Sequence, residues 1–212
     1  MKFLPYSILF CFLLGCCKDD DVLTDDSPSG NTLYEVKDFQ PMTVGSYWIY
    51  QNFEVHDNGD EIQNNTFDSV YVAGDTIING NTYAILQHSL FTFWDYVSYV
   101  RDSSEYLVNS DGRKLFSISN FTDTLYTLYL YDGHIAYKMD DKDSIVIVPE
   151  GTFATYNYKG FFYSDAFGGG VRFFHNFYVA QIGLVKYNAF YSSDWLNPDY
   201  DEYRLVRYHI AG

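Results

Sequence analysis

Cysteine is scarce in this chain, and all of it lies at one end. The three cysteines are Cys11, Cys16 and Cys17. No thiol follows position 17, so the rest of the chain can form neither a disulfide framework nor a cysteine-based zinc site. It has no cysteine nucleophile either. Basic residues are also few: 13 Lys and Arg stand against 28 Asp and Glu, for a net charge of −15. That balance excludes nucleic acid as a partner, because binding phosphates needs clustered Lys and Arg. The five histidines, His56, His88, His134, His175 and His209, are scattered and form no H-E-x-x-H pair. No G-x-S-x-G elbow occurs. No catalytic residue, metal or cofactor is therefore expected. There is no long hydrophobic run: the apolar stretch Phe3–Gly15 has 13 residues, short of the roughly 20 that a spanning helix needs.

That short run has a meaning of its own. Lys2 is the only charge before position 18, and a positive start followed by a short apolar segment is the layout of a secretory signal. Leu13-Leu14-Gly15-Cys16 resembles a bacterial lipobox, with a small residue directly before the cysteine. Cys11 follows Phe10 and Cys17 follows Cys16, and neither fits the pattern. Cys16 is thus the expected lipid-bearing residue. Lys18, Asp19 and Asp20 resemble the surface-export signal of Bacteroidetes lipoproteins. The resemblance implies an outer-membrane protein facing the cell exterior. Several acyl chains would anchor it, since one alone holds only marginally. Loss of Lys2 with the signal takes the net charge from −15 to −16, so the acyl chains, not the protein surface, would hold the membrane.

Residues 1–15 read as the signal peptide. Residues 16–33 read as the lipidated cysteine and an acidic, Ser/Pro/Gly-rich tether that cannot bury a core. Residues 34–212 read as one β-domain. Aromatics make up 20% of the chain, with 22 Tyr and 18 Phe, and aromatics favour strands. No stretch after Tyr34 keeps a helical repeat. Turn dipeptides recur instead: Asn58-Gly59, Asn79-Gly80, Asp111-Gly112 and Asp132-Gly133, each between strand-like runs. Alternation places Phe116 and Ile118 opposite Ser117 and Ser119, and Val206, Tyr208 and Ile210 opposite Leu205, Arg207 and His209. The expected fold is all-β, a single antiparallel meander of about 11–12 strands forming a strongly curved sheet or half-barrel.

Three motifs occur in order: F-x-P-x-x-x-G-x-x-W-x-Y at Phe39–Tyr50, V-P-x-G-T-F at Val148–Phe153, and G-x-V-K at Gly183–Lys186. Together they resemble a group of uncharacterised exported β-proteins and lipoproteins, many from Bacteroidetes. The resemblance implies a curved antiparallel sheet like the half-barrels of lipoprotein carriers, and it assigns no catalytic residue.

The functional reading is a non-enzymatic binding domain on a surface lipoprotein, with a glycan or a protein as ligand. Exposed aromatics suit both, and the candidates are Trp94, Tyr96, Tyr99, Tyr129, Tyr131 and Trp195. The alternative is a carrier holding a lipid or acyl chain in the concave face. A third reading, a hydrolase, would need two carboxylates set across a cleft, and most of the 22 Asp sit in turns. Asp-Ser/Thr followed by an apolar residue occurs four times, where composition alone would give about one. The tripeptide resembles an O-glycosylation acceptor of Bacteroidetes exported proteins, making Ser69, Thr76, Thr124 and Ser144 candidates. A strand-start preference explains it equally well.

Overall fold

A computed structural model describes residues 34–56, 58–89, 95–164, 171–190 and 200–212. They form twelve strands behind one short 3-10 turn, Val36–Phe39. The first six strands are β1 (Tyr47–Val55), β2 (Glu61–Ile78), β3 (Asn81–Ser89), β4 (Asp95–Ser103), β5 (Tyr106–Asn109) and β6 (Lys114–Ser117). The other six are β7 (Tyr126–Leu130), β8 (Gly133–Val148), β9 (Gly151–Tyr163), β10 (Val171–Val179), β11 (Gly183–Phe190) and β12 (Tyr200–His209). All neighbours pair antiparallel in one sheet, ordered β6-β5-β4-β3-β2-β1-β12-β11-β10-β9-β8-β7. The expected all-β meander is therefore what the chain forms.

The meander begins and ends in the middle of the sheet, because β1 pairs with both β2 and β12. Its two edges, β6 and β7, are consecutive in the chain. The sheet curls until these edges nearly meet. The Ser117 N–H donates to Met139 Sδ at 3.4 Å, and the Tyr158 hydroxyl to the Lys114 carbonyl at 3.2 Å. The concave side is packed with the chain's own side chains. Phe39 plugs it from the 3-10 turn, its ring 4.8 Å from Phe116 and 4.6 Å from Tyr156. Met139, Val185 and Leu205 are fully buried in the same core. Each such side chain contributes roughly 1.5–3 kcal/mol by leaving water.

The sequence motifs meet at one place in this core. The β11–β12 ladder ends at Lys186↔Arg204, and β12 beyond it pairs only with β1. Backbone groups around this opening find other partners. Trp48 Nε1 donates to the Ile182 carbonyl at 2.5 Å and the Tyr50 hydroxyl to that of Leu184 at 2.9 Å. The Glu150 N–H, in the β8–β9 turn, donates to the Leu205 carbonyl at 3.2 Å. Gly183 lies against the indole at a φ of +100°, where a Cβ would sit 3.4 Å from Trp48 Nε1 and 3.5 Å from Pro41. The motifs that carry the resemblance are thus parts of one packing unit.

Several local expectations need correction. Gly133 is not a turn residue: Leu130 pairs with Gly133, so the two-residue turn is Tyr131-Asp132. Glycine is required there because a Cβ would fall 2.0 Å from the Tyr163 carbonyl of β9. Ser117 does not face away from Phe116 into solvent; both are fully buried. The strand ends at Ser117, whose hydroxyl accepts from the Ser119 and Asn120 N–H groups and caps the following turn. The alternation along β12 also shifts. A bulge pairs Ile49 with Arg207 and Tyr50 with Leu205, skipping Val206, so Leu205 joins the core while Tyr208 also packs against it.

Asn79-Gly80 forms the expected turn, with φ of +50° and +79° and Ile78 paired to Asn81. No atom lies within 4 Å of a Cβ built on Gly80, so a substitution there meets backbone strain and not a clash. Gly80→Val is expected to destabilise the protein by roughly 1–3 kcal/mol, and Gly80→Ala by less. Urea midpoints of the two variants check this; an unchanged midpoint for the valine would contradict the turn assignment.

Candidate functional site

Alternation along β8 to β12 puts one set of side chains on the outer face, away from the core. Cross-strand partners share a face, so the register lists them. Lys138 opposes Lys159, which opposes His175. Phe161 opposes Phe173. Phe177 opposes Lys186, which opposes Arg204. Seven of the chain's 13 cations, Lys138, Lys142, Lys159, Arg172, Lys186, Arg204 and Arg207, come from these strands.

Val171, Phe173, His175 and Phe177 of β10 form one wall of a groove. Lys186 and Asn188 of β11 and Tyr200 and Glu202 of β12 complete it, enclosing about 390 Å³. A second cavity of about 460 Å³ shares Phe177 and Lys186 and runs on past Arg204 to Glu61 and the end of β8. The two make one trough. Its aromatic rings are held by contacts: Phe161 meets Phe173 edge-on at 5.5 Å, and His175 stacks on Phe177 at 5.5 Å. The cations lie over rings as well, Lys159 Nζ 4.6 Å from the Phe173 centroid and the Arg204 guanidinium 4.2 Å from that of Phe53.

The polar groups are ordered by each other. Glu202 is 4% exposed. One of its oxygens takes Arg204 Nε at 2.5 Å and the other Lys186 Nζ at 2.9 Å. Arg204 also grips Glu61 with both terminal nitrogens, at 2.5 and 2.8 Å. Lys159 meets Asp140 at 2.9 Å. Asn188 accepts from the His175 backbone N–H at 2.5 Å and donates to the Phe173 carbonyl. The Asn157 amide nitrogen sits 3.1 Å from His175 Nδ1, which makes Nδ1 the acceptor and leaves the ring proton on Nε2. Burial, with Lys159 and Lys186 nearby, lowers the His175 pKa and keeps the ring neutral.

A second polar cluster faces the core side at the ends of β2, β3 and β4. Asp68 is buried, and its Oδ2 accepts from the Tyr187 hydroxyl at 2.5 Å. Burial raises its pKa. His88 stacks on Tyr96 at 4.1 Å and its Nε2 lies 2.8 Å from the Ser98 hydroxyl. Among the described residues, no group of three or more His, Cys, Asp or Glu could hold a metal ion. No helix among them is long and apolar enough to cross a membrane.

The sequence candidates scatter over this frame. Tyr96 shares the core face with His88, on which it stacks, yet is 46% exposed, and Tyr99 is half-buried opposite Ile85. Tyr131 is exposed in its turn. Tyr129 is 80% exposed and heads a row through His134 and Tyr163 to Val171 of the groove. Trp94, Trp195, Cys16, Lys18, Asp19 and Asp20 lie outside the described residues. Of the glycosylation candidates, Thr124 is exposed; Ser69, Thr76 and Ser144 are half-buried. Thr76 opposes Tyr83 beyond a bulge at Ala73, which puts it on the outer face. Phe173, His175, Phe177, Lys186, Tyr200 and Glu202 were missed. The alternating V-x-F-x-H-x-F of β10 was the available signal, but a neighbouring strand's charges cannot be aligned with it from sequence.

No family model matches the chain, and no curated protein does. Among solved structures, a "putative exported protein with YmcC-like fold" from Bacteroides fragilis is similar, with a TM-score of 0.51 and 11% identity. The match covers 81% of this chain and 98% of that one. A "putative lipoprotein" from Parabacteroides distasonis covers the same shares at 12% identity and a TM-score of 0.38. The Bacteroides likeness is one of fold, and at that level it agrees with the resemblance carried by the three motifs.

The buried His88 makes a pH prediction. Burial holds its pKa down to about 4, against 6.5 for the ordinary side chain. The unfolded chain therefore takes up this proton first as pH falls. The contribution is complete above pH 6.5 and is lost toward pH 4, roughly 2–3 kcal/mol in all. Asp68 acts in the opposite sense, since its raised pKa favours the folded state as it protonates. Comparing wild type with His88→Gln isolates the histidine: the stability difference should shrink between pH 6.5 and 4, and NMR should place the His88 midpoint near 4.

Proposed function

We propose that the protein is a non-enzymatic glycan-binding lipoprotein of the outer membrane, anchored through Cys16 and facing the cell exterior. The observation that supports the binding role is the outer trough itself. Phe173, Phe177 and Tyr200 stand beside Asn188, Glu202 and Lys186 in a groove of about 390 Å³. Flat aromatic faces suit the apolar faces of sugar rings, and the flanking polar groups suit their hydroxyls. The continuation past Arg204 gives room for more than one sugar unit. The concave-face carrier is supported less, because Phe39, Phe116, Tyr156 and Met139 pack that side. The anchor and the outward orientation rest on the sequence: the lipobox-like Leu13–Cys16 and the Lys18-Asp19-Asp20 triplet behind it.

Phe173→Ala is expected to weaken glycan binding roughly tenfold, or about 1.4 kcal/mol, with the urea midpoint close to wild type because Phe173 is half-exposed. Tyr71→Ala, on the outer face of β2, is the control and should leave binding unchanged. Glycan microarray screening followed by titration calorimetry measures both. Binding untouched by Phe173→Ala would remove the trough as the site.

Cys16→Ser should abolish acyl labelling and move the protein from the membrane to the soluble fraction. Labelling that persists, or shifts wholly to Cys17, would overturn the anchor assignment.

A further inference from the structure

We infer that the trough continues across the sheet to its β7 edge, along the rings of Tyr163, His134 and Tyr129, and that its ligand is an internal stretch of a linear polysaccharide laid over β7 to β12. This deepens the glycan reading above and rests on it.

Strand register draws the line. Val171, in the wall of the groove, opposes Tyr163. Tyr163 opposes His134, and His134 opposes Tyr129. One residue from each of β10, β9, β8 and β7 thus stands in a single row on the outer face. The rings follow one another closely: His134 stacks on Tyr163 with centroids 5.1 Å apart, and Tyr129 lies 6.0 Å beyond His134. They are open to solvent as well, Tyr129 being 80% exposed and Tyr163 41%. Single exposed apolar side chains are ordinary on a protein surface, whereas a contiguous set of them marks a binding surface. The core does not require this row, because the opposite face of the same strands carries the buried Ile135 and Phe162.

The surface beside the row suits a chain. The next row along the strands is Thr127, Ala136 and Phe161. The first two are small, so the rings of Tyr129 and His134 stand above them. On the far side Lys138 opposes Lys159, and both ammonium groups lean over Phe161, 4.8 and 5.1 Å from its centroid. The result is a shelf floored by Thr127 and Ala136, with rings on one side and Lys138 on the other. It leads into the trough where Phe161 meets Phe173 edge-on at 5.5 Å.

Width, length and ends point to a polymer. The row is one side chain wide, whereas a stable protein partner needs about 800 Å² on each side. Neighbouring strands lie about 4.8 Å apart, so the five steps from β7 to β12 cover about 24 Å. A single sugar in the groove would leave the shelf empty. Both ends are exposed: Tyr131 stands free beyond Tyr129, and Ile145 and Ile147 are 67% and 72% exposed at the far end of the second cavity. A site exposed at both ends takes the middle of a chain, whereas one built for chain ends is closed on one side. Tyrosine suits repeated sugar units, since its ring offers an apolar surface and its hydroxyl a hydrogen bond.

The test sets each polymer against its own trisaccharide, on the full-length protein in non-ionic detergent. Laminarin is compared with laminaritriose, linear xylan with xylotriose, and pullulan with maltotriose, by titration calorimetry with concentrations counted as trisaccharide units. Expected is at least one polymer bound tenfold or more tighter than its trisaccharide. Tyr129→Thr and Tyr163→Thr, which keep a strand-forming residue, should each weaken that polymer at least threefold and leave trisaccharide binding unchanged. Phe173→Ala should weaken both, and Tyr71→Ala neither. Polymer and trisaccharide bound equally, or polymer binding indifferent to both threonine variants, would overturn the extension while leaving the glycan reading standing. In the second case, a change of sedimentation with Tyr129→Thr would assign the row to a contact between copies of the chain. A trisaccharide weakened as much as the polymer by the threonine variants would put short ligands on the row and overturn the arrangement. Binding to no member of the panel would overturn both readings, as would polymer binding that depends on Tyr129 and Tyr163 but not on Phe173.

Discussion

The structure depends on where the backbone groups go at the opening between β11 and β12. A sheet that curls this far cannot keep every neighbouring pair in register. Here the ladder parts after Lys186↔Arg204. Buried carbonyls without donors would cost more than most single contacts return. Trp48 and Tyr50 answer two of them from β1, reaching past β12 to Ile182 and Leu184. Glu150 answers Leu205. One indole, one phenol and one turn amide thus hold the first strand, the last two strands and the β8–β9 hairpin to one another. The glycine at 183 is part of the same device, since a side chain there would meet the indole edge.

The trough follows from that closure. With the core side filled, the strands β8 to β12 carry the trough on their outer face. Their antiparallel register then sets Phe173 by Phe161, and Lys186 by Arg204 and Phe177. Nothing along the chain joins these residues; the ladder does. Glu202 holds the two cations that flank it, and Arg204 reaches across to Glu61. Those ion pairs are partly or wholly desolvated, so removing one partner would leave a charge uncompensated.

Bulges explain why alternation misled at particular residues. A strand read by its period of two keeps its faces only while the register holds. Skipping Val206 brought Leu205 into the core, and the extra residue at Ala73 turned Thr76 outward. Gly133 misled for a different reason. In sequence, Asp-Gly signals a tight turn; in the fold, that glycine marks where β9 passes too close for any side chain. Local turn chemistry and tertiary proximity both select glycine, and a single sequence cannot separate them.

The sequence by itself determined the fold class, the near count of strands, the Asn79-Gly80 hairpin and the three motifs that pack together. These follow from local chemistry: aromatic and β-branched content, positive-φ turn residues, and short patterns whose members act within a few positions of one another. It also determined what the folded part lacks, which is every thiol-based chemistry. Only the tertiary structure decided the site. Of the aromatics named as candidates, Tyr129 alone leads toward the trough among those the structure describes; Tyr96 is exposed but stands on the other face beside His88, and Tyr99 is half-buried. Phe173, His175 and Lys186 became neighbours through strand register. Register is a property of paired strands, and no strand records its partner's alignment in its own residues.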